Sequence, residues 1–340
     1  MTTTLRWGIL GTGNIARQFA ASFGSARRGV LAAVGSRQSL SAQSFAQAHR
    51  IPAAFGSYEQ VLHAKDVDAI YVSLPNSMHR EWTIRALQAG KHVLCEKPIA
   101  NNAAEAQEMF DVARRTGRLL MEAFMYRSHP LTLAVLDAVR GGAIGQVRLI
   151  RTSFCYRTTR VSGNIRFDPA LAGGVLMDVG CYCVNFSRLI AGAEPSRVQA
   201  VGQMHESGVD EIAAAVLQFP GSITATFSCG MSVQADNAAH ICGTEGFIEI
   251  PIPWKPPVQN ATWTLAHSTP PKMDLAAKAI TTPPRQTFTV SADRELYALE
   301  ADDFAQAVFD GKPMRVSEED SLGNMRVLDA LRTQVERAES

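Results

Sequence analysis

The sequence predicts an α/β protein with a doubly wound parallel sheet first and a region of mainly antiparallel strands after it. Up to about residue 123, short apolar runs alternate with helical patterns, as they do in βαβ units. From 196 to 250, strand-sized runs follow one another with short turns, which favours antiparallel pairing. The chain has 340 residues, and single cores grow poorly beyond about 250 to 300. We therefore expect one domain over 1–123 and a second over 124–340.

The first part contains five strand candidates separated by helical patterns. The pattern over 79–90 closes at Gly90. The pattern over 101–117 begins with Asn102 and Glu105, which can form a capping box, and ends at Gly117. The predicted strands are 5–10, 30–35, 68–74, 91–96 and 118–124.

The second part changes rhythm after residue 125. A helical pattern over 131–142 leads into a strand-like run over 144–157, and the helical segment containing MDVGCYCVN (177–185) follows. The stretch 251–285 is rich in proline, so we expect it to be irregular and at the surface. The other predicted elements are strands at 196–204, 211–219, 222–230, 239–243 and 246–250, and helices at 294–311 and 317–338.

Composition and charge exclude several kinds of partner. Hydrophobic residues make up 46% of the chain and charged residues 19%, as in ordinary globular proteins. The net charge of +1 provides no basic field for nucleic acid or for a membrane surface. The apolar runs are shorter than the ~20 residues that span a bilayer, and the first strand begins too early for a signal peptide. The expected location is the cytoplasm.

The six cysteines predict reduced thiols, because they show no CxxC pair and no secreted-domain spacing. A metal site that uses Cys181, Cys183 and a histidine is the weakest alternative, since soft-metal sites usually show CxxC-type spacing and four ligands. We predict no metal. We interpret the two cysteines as small buried residues.

A glycine pattern, GILGTGNIA, lies between the first strand and the first helix. Gly11 and Gly13 permit a tight turn and a close approach of backbone to a pyrophosphate, which then sits at the positive end of the helix. This position at the start of the first βαβ unit favours dinucleotide binding over a purely structural turn. The predicted contacts are Gly11, Thr12, Gly13, Asn14 and Ile15.

The second strand ends at Ser36 and Arg37, where an NAD-specific site would offer an acid to the ribose hydroxyls. A hydroxyl and a guanidinium instead suit a 2′-phosphate. The sequence therefore favours NADP over NAD, the alternative being that Arg37 is a surface arginine.

The fourth predicted strand ends at Glu96, Lys97 and Pro98, at the carboxyl edge where open α/β sheets bind their ligands. A Glu–Lys pair is usually a solvated surface pair. Its position at this edge makes Lys97 a candidate for function.

Four motifs in this order, GILGTGNIA, SLPNSMHR, CEKPIA and DVGCY, resemble the glucose-fructose oxidoreductase, inositol dehydrogenase and MocA superfamily over essentially the whole chain. The resemblance implies a Rossmann domain followed by an α/β domain with a large open, mostly antiparallel sheet. The exposed face of that sheet commonly forms a dimer interface, and the last helices pack back toward the Rossmann domain. The segments MEAFMYRSHP and NIRFDPALAGGVLMDVGCY are similar to the branch with NADP-dependent D-xylose dehydrogenase and dimeric dihydrodiol dehydrogenase.

The resemblance implies roles for individual residues. Lys97 matches the catalytic lysine and Tyr182, where many relatives have histidine, matches the acid-base tyrosine of the branch. Asp178 lies one helical turn before Tyr182 and can orient Lys97 or bind substrate hydroxyls. Further implied cofactor contacts are Leu74, Pro75, Asn76, His79, Glu96 and Arg127, and the substrate candidates are Asn164, Arg166 and Asp168.

This chemistry is reasonable for the residue types. Oxidation of a CH–OH group needs a base for the hydroxyl proton while hydride goes to nicotinamide. A phenol has a pKa of ~10, and one cation in contact lowers such a pKa by about 1 to 3 units. We therefore expect Lys97 to lower the pKa of Tyr182. Without the resemblance, Tyr182 as a core tyrosine, Asp178 as a helix cap, His79 as a surface residue and 164–168 as a solvated loop fit as well.

The resulting hypothesis is an NADP-dependent dehydrogenase for a sugar, a cyclic polyol or an aromatic dihydrodiol, active as a homodimer. The alternative is a sugar ketone or aldose reductase, such as a 1,5-anhydrofructose reductase or a glucose-fructose oxidoreductase type. A regulator that binds NADP without catalysis is less favoured, because it would lack the acid-base residues that this sequence keeps.

Overall fold

The structure of the protein is a computed structural model that describes residues 3–267, 273–274, 279–280 and 283–338. Six parallel strands form the first sheet, and the direction of strand order reverses between its third and fourth members. That reversal is the topological switch point at which doubly wound sheets bind ligands. In spatial order the strands are Ala53–Phe55 (β3), Gly29–Gly35 (β2), Leu5–Leu10 (β1), Ala69–Val72 (β4), His92–Glu96 (β5) and Leu120–Ala123 (β6).

Nine α-helices occur in the described part of the chain, and the predicted helix signals act where expected. The Asn102 side chain accepts a hydrogen bond from the Glu105 amide, and Gly117 ends the same helix in the left-handed conformation. The helices are Asn14–Ser22 (α1), Ser39–His49 (α2), Tyr58–Leu62 (α3), His79–Gln88 (α4), Ala103–Thr116 (α5), Pro130–Arg140 (α6), Cys181–Ala191 (α7), Leu296–Asp310 (α8) and Glu318–Ala338 (α9).

The second sheet has eight strands and is mixed, with mostly antiparallel pairing. Its central strand, Val147–Cys155 (β7), pairs in parallel with Ile223–Gly230 (β10) and antiparallel with Ala239–Gly243 (β11). The α/β class and the mostly antiparallel second sheet are thus confirmed. In spatial order the strands are Arg285–Val290 (β16), Ala261–His267 (β13), Gly246–Ile250 (β12), Ala239–Gly243 (β11), Val147–Cys155 (β7), Ile223–Gly230 (β10), Asp210–Phe219 (β9) and Arg197–Met204 (β8), with Met273–Asp274 (β14) and Ala279–Ile280 (β15) paired separately.

The prediction that 251–285 is irregular is wrong for β13, which lies inside the second sheet. Trp263 and Leu265 are buried while Thr262 and Thr264 are less so, the alternation expected of a strand. Surrounding prolines obscured this short pattern. Positions 268–272, 275–278 and 281–282 of the same stretch lie outside the described residues.

The segment that leads into α7 begins with a π-helical turn over Leu176–Gly180. Pro169–Ala191 is long and apolar enough to cross a membrane, with a hydropathy of 1.3, but 72% of its apolar 18-residue window is buried inside the protein. It is therefore a core segment that places Asp178 and Tyr182 between the two sheets.

The last two helices connect the two parts of the protein. α8 packs on α1, and the Asp302 carboxylate accepts hydrogen bonds from the backbone amides of Arg27 and Arg28. α9 packs on α5 and β8, where the Asp329 carboxylate accepts from the Ala103 amide at 2.8 Å. These contacts hold the edge of the first sheet against α7.

Candidate active site

Lys97 follows β5 directly, in a turn that buried polar groups hold from two sides. The His79 ring lies 2.9 Å from the Pro98 carbonyl through Nδ1 and 2.8 Å from the Leu74 carbonyl through Nε2. On the other side, the Glu122 carboxyl accepts a hydrogen bond from the Ile99 amide at 3.0 Å. The backbone of Lys97 is thereby fixed at the carboxyl edge of the sheet.

The Lys97 ammonium joins the first sheet to the α7 segment. Its Nζ donates to the Asp178 backbone carbonyl at 2.6 Å and lies 3.4 Å from Asp178 Oδ1. Burial alone would lower the pKa of Lys97, but the Asp178 carboxylate raises it above its ordinary value. Lys97 is therefore a charged ammonium at neutral pH.

Two further donors reach the Asp178 carboxylate. Tyr156 Oη donates to Oδ2 at 2.5 Å, and Arg166 Nε donates to the same oxygen at 2.7 Å. Burial alone would raise the pKa of Asp178, but the charges of Lys97 and Arg166 and these hydrogen bonds lower it to about 2. Asp178 is an ionised anchor for two cations and not a proton acceptor near neutral pH.

Tyr182 lies on the same face of the helix and also contacts Lys97, as the four-residue spacing predicts. The ammonium sits 5.1 Å from the ring centroid, over the ring, and the hydroxyl donates to the Met125 sulfur at 3.3 Å. Burial, followed by the acidic groups Glu96 and Tyr297, raises the pKa of Tyr182 well above its ordinary value. The expectation that Lys97 lowers this pKa is wrong in this structure, because the cation faces the ring and not the hydroxyl.

An aromatic wall flanks Tyr182. Phe154 and Trp254 stack with ring centroids 5.6 Å apart, and both lie within 6.0 Å of the Tyr182 ring. The Trp254 indole donates to the Ser153 carbonyl at 2.8 Å, which fixes its orientation. The wall gives the site an apolar side opposite the Lys97–Asp178 pair.

The glycine turn at the end of β1 fits a dinucleotide. Gly11 has φ +103°, and a Cβ there would lie 3.0 Å from the Ser73 carbonyl, so a larger residue is strained. Gly13 caps α1 without a side-chain hydrogen bond, and a Cβ at Gly13 meets nothing within 4 Å. The open first turn of α1 has the form of a phosphate-binding helix end, with Thr12, Asn14 and Ile15 beside it.

Ser36 and Arg37 lie at the end of β2, at the same edge of the sheet. Ser36 is buried, and its hydroxyl accepts from the Gln38 amide at 3.3 Å. Arg37 is exposed and lies close to the Tyr58 side chain.

Four of the residues expected to contact the cofactor are already bonded within the protein. Asn76 donates to the Ala172 carbonyl at 2.8 Å, and Glu96 accepts from the buried Tyr71 hydroxyl. His79 is fully buried between two carbonyls, so the surface alternative for it is wrong. Arg127 donates to Asp320 at 2.7 Å and to the Arg315 carbonyl at 2.9 Å. Their present contacts position the loops around the site, while Leu74 and Pro75 lie at the end of β4 next to them.

The three substrate candidates in the loop differ in whether their side chains reach the site. Arg166 reaches Asp178, and its two terminal nitrogens make no hydrogen bond to the described residues. Asn164 instead accepts from the Arg166 amide, and Asp168 accepts from the Ala170 amide. Only Arg166 of these three is brought to Lys97.

Sequence reasoning missed three residues of this site: Tyr156, Trp254 and Lys255. Tyr156 follows the last residue of β7, where its pairing with a carboxylate 22 positions later leaves no local pattern. Trp254 and Lys255 stand in the proline-rich stretch that was expected to be irregular. A tryptophan among prolines is the one signal there that favours a packed segment.

Cys181 and Cys183 are fully buried, and burial raises the pKa of the Cys183 thiol to about 12. Their environment is that of packed neutral thiols. Among the described residues, no group of three or more His, Cys, Asp or Glu side chains is arranged to hold a metal ion.

Comparison with known proteins identifies the family. The family described as "Oxidoreductase family, NAD-binding Rossmann fold" matches residues 5–124, and the GFO/IDH/MocA C-terminal domain matches residues 132–249. The chain belongs to the GFO/IDH/MocA oxidoreductases. As a member of this family it is an oxidoreductase with an NAD(P)-binding Rossmann domain.

Individual members of the GFO/IDH/MocA family are similar over most of the chain. The trans-1,2-dihydrobenzene-1,2-diol dehydrogenase of Xenopus tropicalis is 39% identical over 74% of this chain and 77% of its own length. A 3-ketoreductase from Actinomadura kijaniata, solved with NADP and TDP-benzene, is 31% identical with a TM-score of 0.85, over 98% of both chains. The aldose-aldose oxidoreductase of Caulobacter crescentus, solved with glycerol, is 30% identical with a TM-score of 0.85, again over 98% of both chains.

The buried Glu122 predicts a defined pH dependence of stability. Burial raises the pKa of Glu122 to about 8, so the folded protein keeps this proton to higher pH than the unfolded chain does. Its contribution therefore lowers the free energy of unfolding as pH rises from about 4.5 to about 8, by roughly 1.4 kcal/mol per pH unit. Glu122→Gln keeps an acceptor for the Ile99 amide and should flatten this dependence, as measured by urea unfolding at pH 5, 6.5 and 8. If the free energy of unfolding declined equally steeply with pH in wild type and variant, Glu122 would not be the cause of this pH dependence.

Proposed function

We propose that this protein is an NADP-dependent oxidoreductase that transfers hydride between nicotinamide and a CH–OH or C=O group of a sugar, a cyclic polyol or a dihydrodiol. The observation that carries the proposal is the cluster of Lys97, Asp178 and Tyr182 at the carboxyl edge of the first sheet. The open glycine turn follows β1, which lies two strands away from β5 in the same sheet. Relatives that bear the names of a diol dehydrogenase, a 3-ketoreductase and an aldose-aldose oxidoreductase support this substrate class.

Each residue has a distinct role in the proposed reaction. The bound cofactor supplies or accepts the hydride. Tyr182 exchanges the proton of the substrate oxygen, and the Lys97 ammonium stabilises negative charge that develops on that oxygen. Asp178 holds Lys97 in its charged form and in place.

The structure's charge state favours the reductive direction as a second candidate. Because the pKa of Tyr182 is raised, its phenol is protonated at neutral pH and is ready to donate to a carbonyl oxygen. Oxidation requires the same phenol to lose its proton, so bound ligands would have to lower its pKa. The neighbouring 3-ketoreductase has also been solved as variants of one tyrosine and one lysine, the two residue types proposed to act here.

A regulator without catalysis is less favoured by this site. Such a protein has no need for an ammonium and a phenol side by side at the carboxyl edge of the sheet. The Lys97–Tyr182 contact therefore argues for an enzyme.

NADP is the proposed cofactor because the end of β2 lacks the acid that binds ribose hydroxyls in NAD sites. Arg37 is exposed there and offers a planar donor pair that suits a 2′-phosphate. The 3-ketoreductase neighbour was solved with NADP.

The substrate pocket is proposed to lie between Arg166 and the aromatic wall. The terminal nitrogens of Arg166 are available to hydroxyl oxygens, and Asn164 and Asp168 shape the loop that carries it. Phe154 and Trp254 suit the apolar face of a sugar ring or of a dihydrodiol.

We propose a homodimer formed through the second sheet. Val201 on β8 and Val216 on β9 are 65% and 39% exposed, and their strands pair near the sheet edge. Such apolar exposure on a strand favours a partner surface.

The cytoplasm remains the proposed location. All six cysteines are free thiols, and five of them are buried. Free thiols in this number are typical of reducing compartments.

Lys97→Met and Tyr182→Phe should each reduce kcat by about 10²- to 10⁴-fold, the usual contribution of a positioned acid-base group. The measurement is absorbance of the reduced nicotinamide with NADP and a panel of pentoses, hexoses and trans-dihydrodiols, and with NADPH and ketosugars. Tyr126→Phe is the matched control, because this neighbouring phenol donates to Asn185 at 2.5 Å. Retention of full activity by Tyr182→Phe would exclude the assigned role.

Arg37→Ala should weaken NADP binding by about ten-fold or more, since a charge-assisted contact to phosphate is lost. Binding of NAD should change little, because NAD has no 2′-phosphate. Isothermal titration calorimetry with NADP and with NAD measures the ratio of the two dissociation constants. Equal losses for NADP and NAD would contradict a role in reading the 2′-phosphate.

Val201→Glu should convert the proposed dimer to a monomer, because a carboxylate in an apolar interface is left without a partner. Light scattering after size-exclusion chromatography gives the mass of each species. Val30→Glu is the control for the added charge, because Val30 lies on the first sheet and is 48% exposed. A monomeric wild type would end the dimer proposal.

A further inference from the structure

Lys255 reaches from the second part of the protein into the cofactor-binding part. Its Nζ donates to the Gln18 side-chain oxygen at 3.0 Å, across 237 positions of sequence. Gln18 lies on α1, one helical turn after Asn14 at the open phosphate-binding end. The Tyr297 hydroxyl lies 3.4 Å from the same Gln18 oxygen. The ammonium therefore stands beside α1 and near enough to Lys97 to feel its charge.

The backbone that carries Lys255 is rigid. Trp254 before it is 3% exposed and is fixed by its stack on Phe154 and by its bond to Ser153. Pro256 after it is buried, and its ring fixes φ. Lys255 itself is exposed, so the side chain projects from a fixed point and only its own rotamers can move.

Lys255 has no carboxylate in direct contact among the described residues. It takes part in none of the ion pairs found there, and its hydrogen-bond partner is a neutral amide. Partial desolvation of the ammonium and the charge of Lys97 lower the pKa of Lys255, while the carboxylates of Glu96 and Asp178 oppose this shift without cancelling it. A cation that stands near a second cation, with only an amide as its partner, is a favourable site for an anion.

We propose that Lys255 is a cofactor-binding residue supplied by the second domain, and that it binds the pyrophosphate of the dinucleotide held at the first turn of α1. This inference rests on the proposed use of NADP and adds a residue that the Rossmann domain does not contain. Its bond to Gln18, on the cofactor helix, favours the pyrophosphate over an anionic group of the substrate. Arg166, which is anchored on Asp178, is the cation that faces the substrate loop.

A consequence is that cofactor binding couples the two parts of the protein. A phosphate replaces Gln18 as the partner of Lys255, and the second domain then contributes directly to affinity for the dinucleotide. Because the backbone on either side of Lys255 is fixed, the same contact sets the position of the bound cofactor relative to Trp254 and the aromatic wall.

The experiment compares Lys255→Met, Lys255→Arg and wild type by isothermal titration with NADP and with adenosine 2′-monophosphate, which has no pyrophosphate. Lys255→Met should weaken NADP binding by about ten-fold or more at low salt and leave the monophosphate unchanged, and Lys255→Arg should keep most of the affinity. The difference should shrink between 20 and 300 mM salt, over which the Debye length falls below about 10 Å. Lys312→Met is the matched control, because Lys312 makes the same kind of bond, to Gln306 at 2.8 Å, on the exposed end of α8.

NADP affinity that is unchanged in Lys255→Met, or lost equally for the monophosphate, would overturn the inference. A normal NADP dissociation constant with a raised KM for the sugar would assign Lys255 to the substrate and would also overturn it. A wild type that binds neither NADP nor NAD would overturn the proposed function itself, and this outcome is distinct because it appears before any variant is compared.

Discussion

The rest of the site depends on one buried charge, the ammonium of Lys97. Only 14% of its side chain is exposed, and a buried cation is costly unless an anion and hydrogen-bond acceptors compensate for lost water. Both the carboxylate and the backbone carbonyl that compensate belong to Asp178, which lies 81 positions away in the other part of the chain. The site therefore exists only when the edge of the first sheet is packed against the α7 segment. The contacts of α8 and α9 hold that packing in place.

The Lys97–Asp178 pair also requires that the backbone on each side of it be held in a fixed position. The Lys97 turn is fixed by His79 and Glu122, whose partners are backbone groups and not ligands. On the other side, a Cβ at Gly174 would overlap the Asp210 carboxylate, which accepts from the Leu176 amide at 2.6 Å at the start of the helix. Loss of any of these groups would leave a buried polar atom without a partner. Residues that never touch a ligand thus determine where the ammonium and the carboxylate meet.

The sequence predicts those features whose causes are local. Apolar alternation and turn residues locate β1, β4 and β5 within two residues, and the Asn102 cap and Gly117 define α5. The family motifs identify the chain as an oxidoreductase, because the residues that characterise the family lie in short segments of sequence. Strand β3 escaped notice because three residues give too little periodicity, and β13 because prolines surround it.

The finer features of the site depend on distant partners and could not be predicted. Nothing near Tyr156 indicates that its hydroxyl meets Asp178, and nothing near Lys255 points to Gln18. His79 and Arg127 have side chains of the types that bind cofactors, but their partners here are carbonyls and Asp320. The direction of the Tyr182 pKa shift depends on whether a cation faces the ring or the oxygen. The spacing of residues in the sequence predicts which face of the helix carries Tyr182, but not whether its ring or its hydroxyl faces the cation.

The orientation of Tyr182 suits proton donation in the proposed reaction. Its hydroxyl has the Met125 sulfur as partner, and a thioether is a weak acceptor. A substrate oxygen can therefore take over this hydrogen bond at little cost. Lys97 lies over the face of the ring while it stays bonded to Asp178, so the hydroxyl is not bonded to the cation. Donation of the proton leaves a phenolate, which the apolar pocket disfavours, so the Lys97 ammonium is the nearby group that stabilises this anion until the proton is replaced.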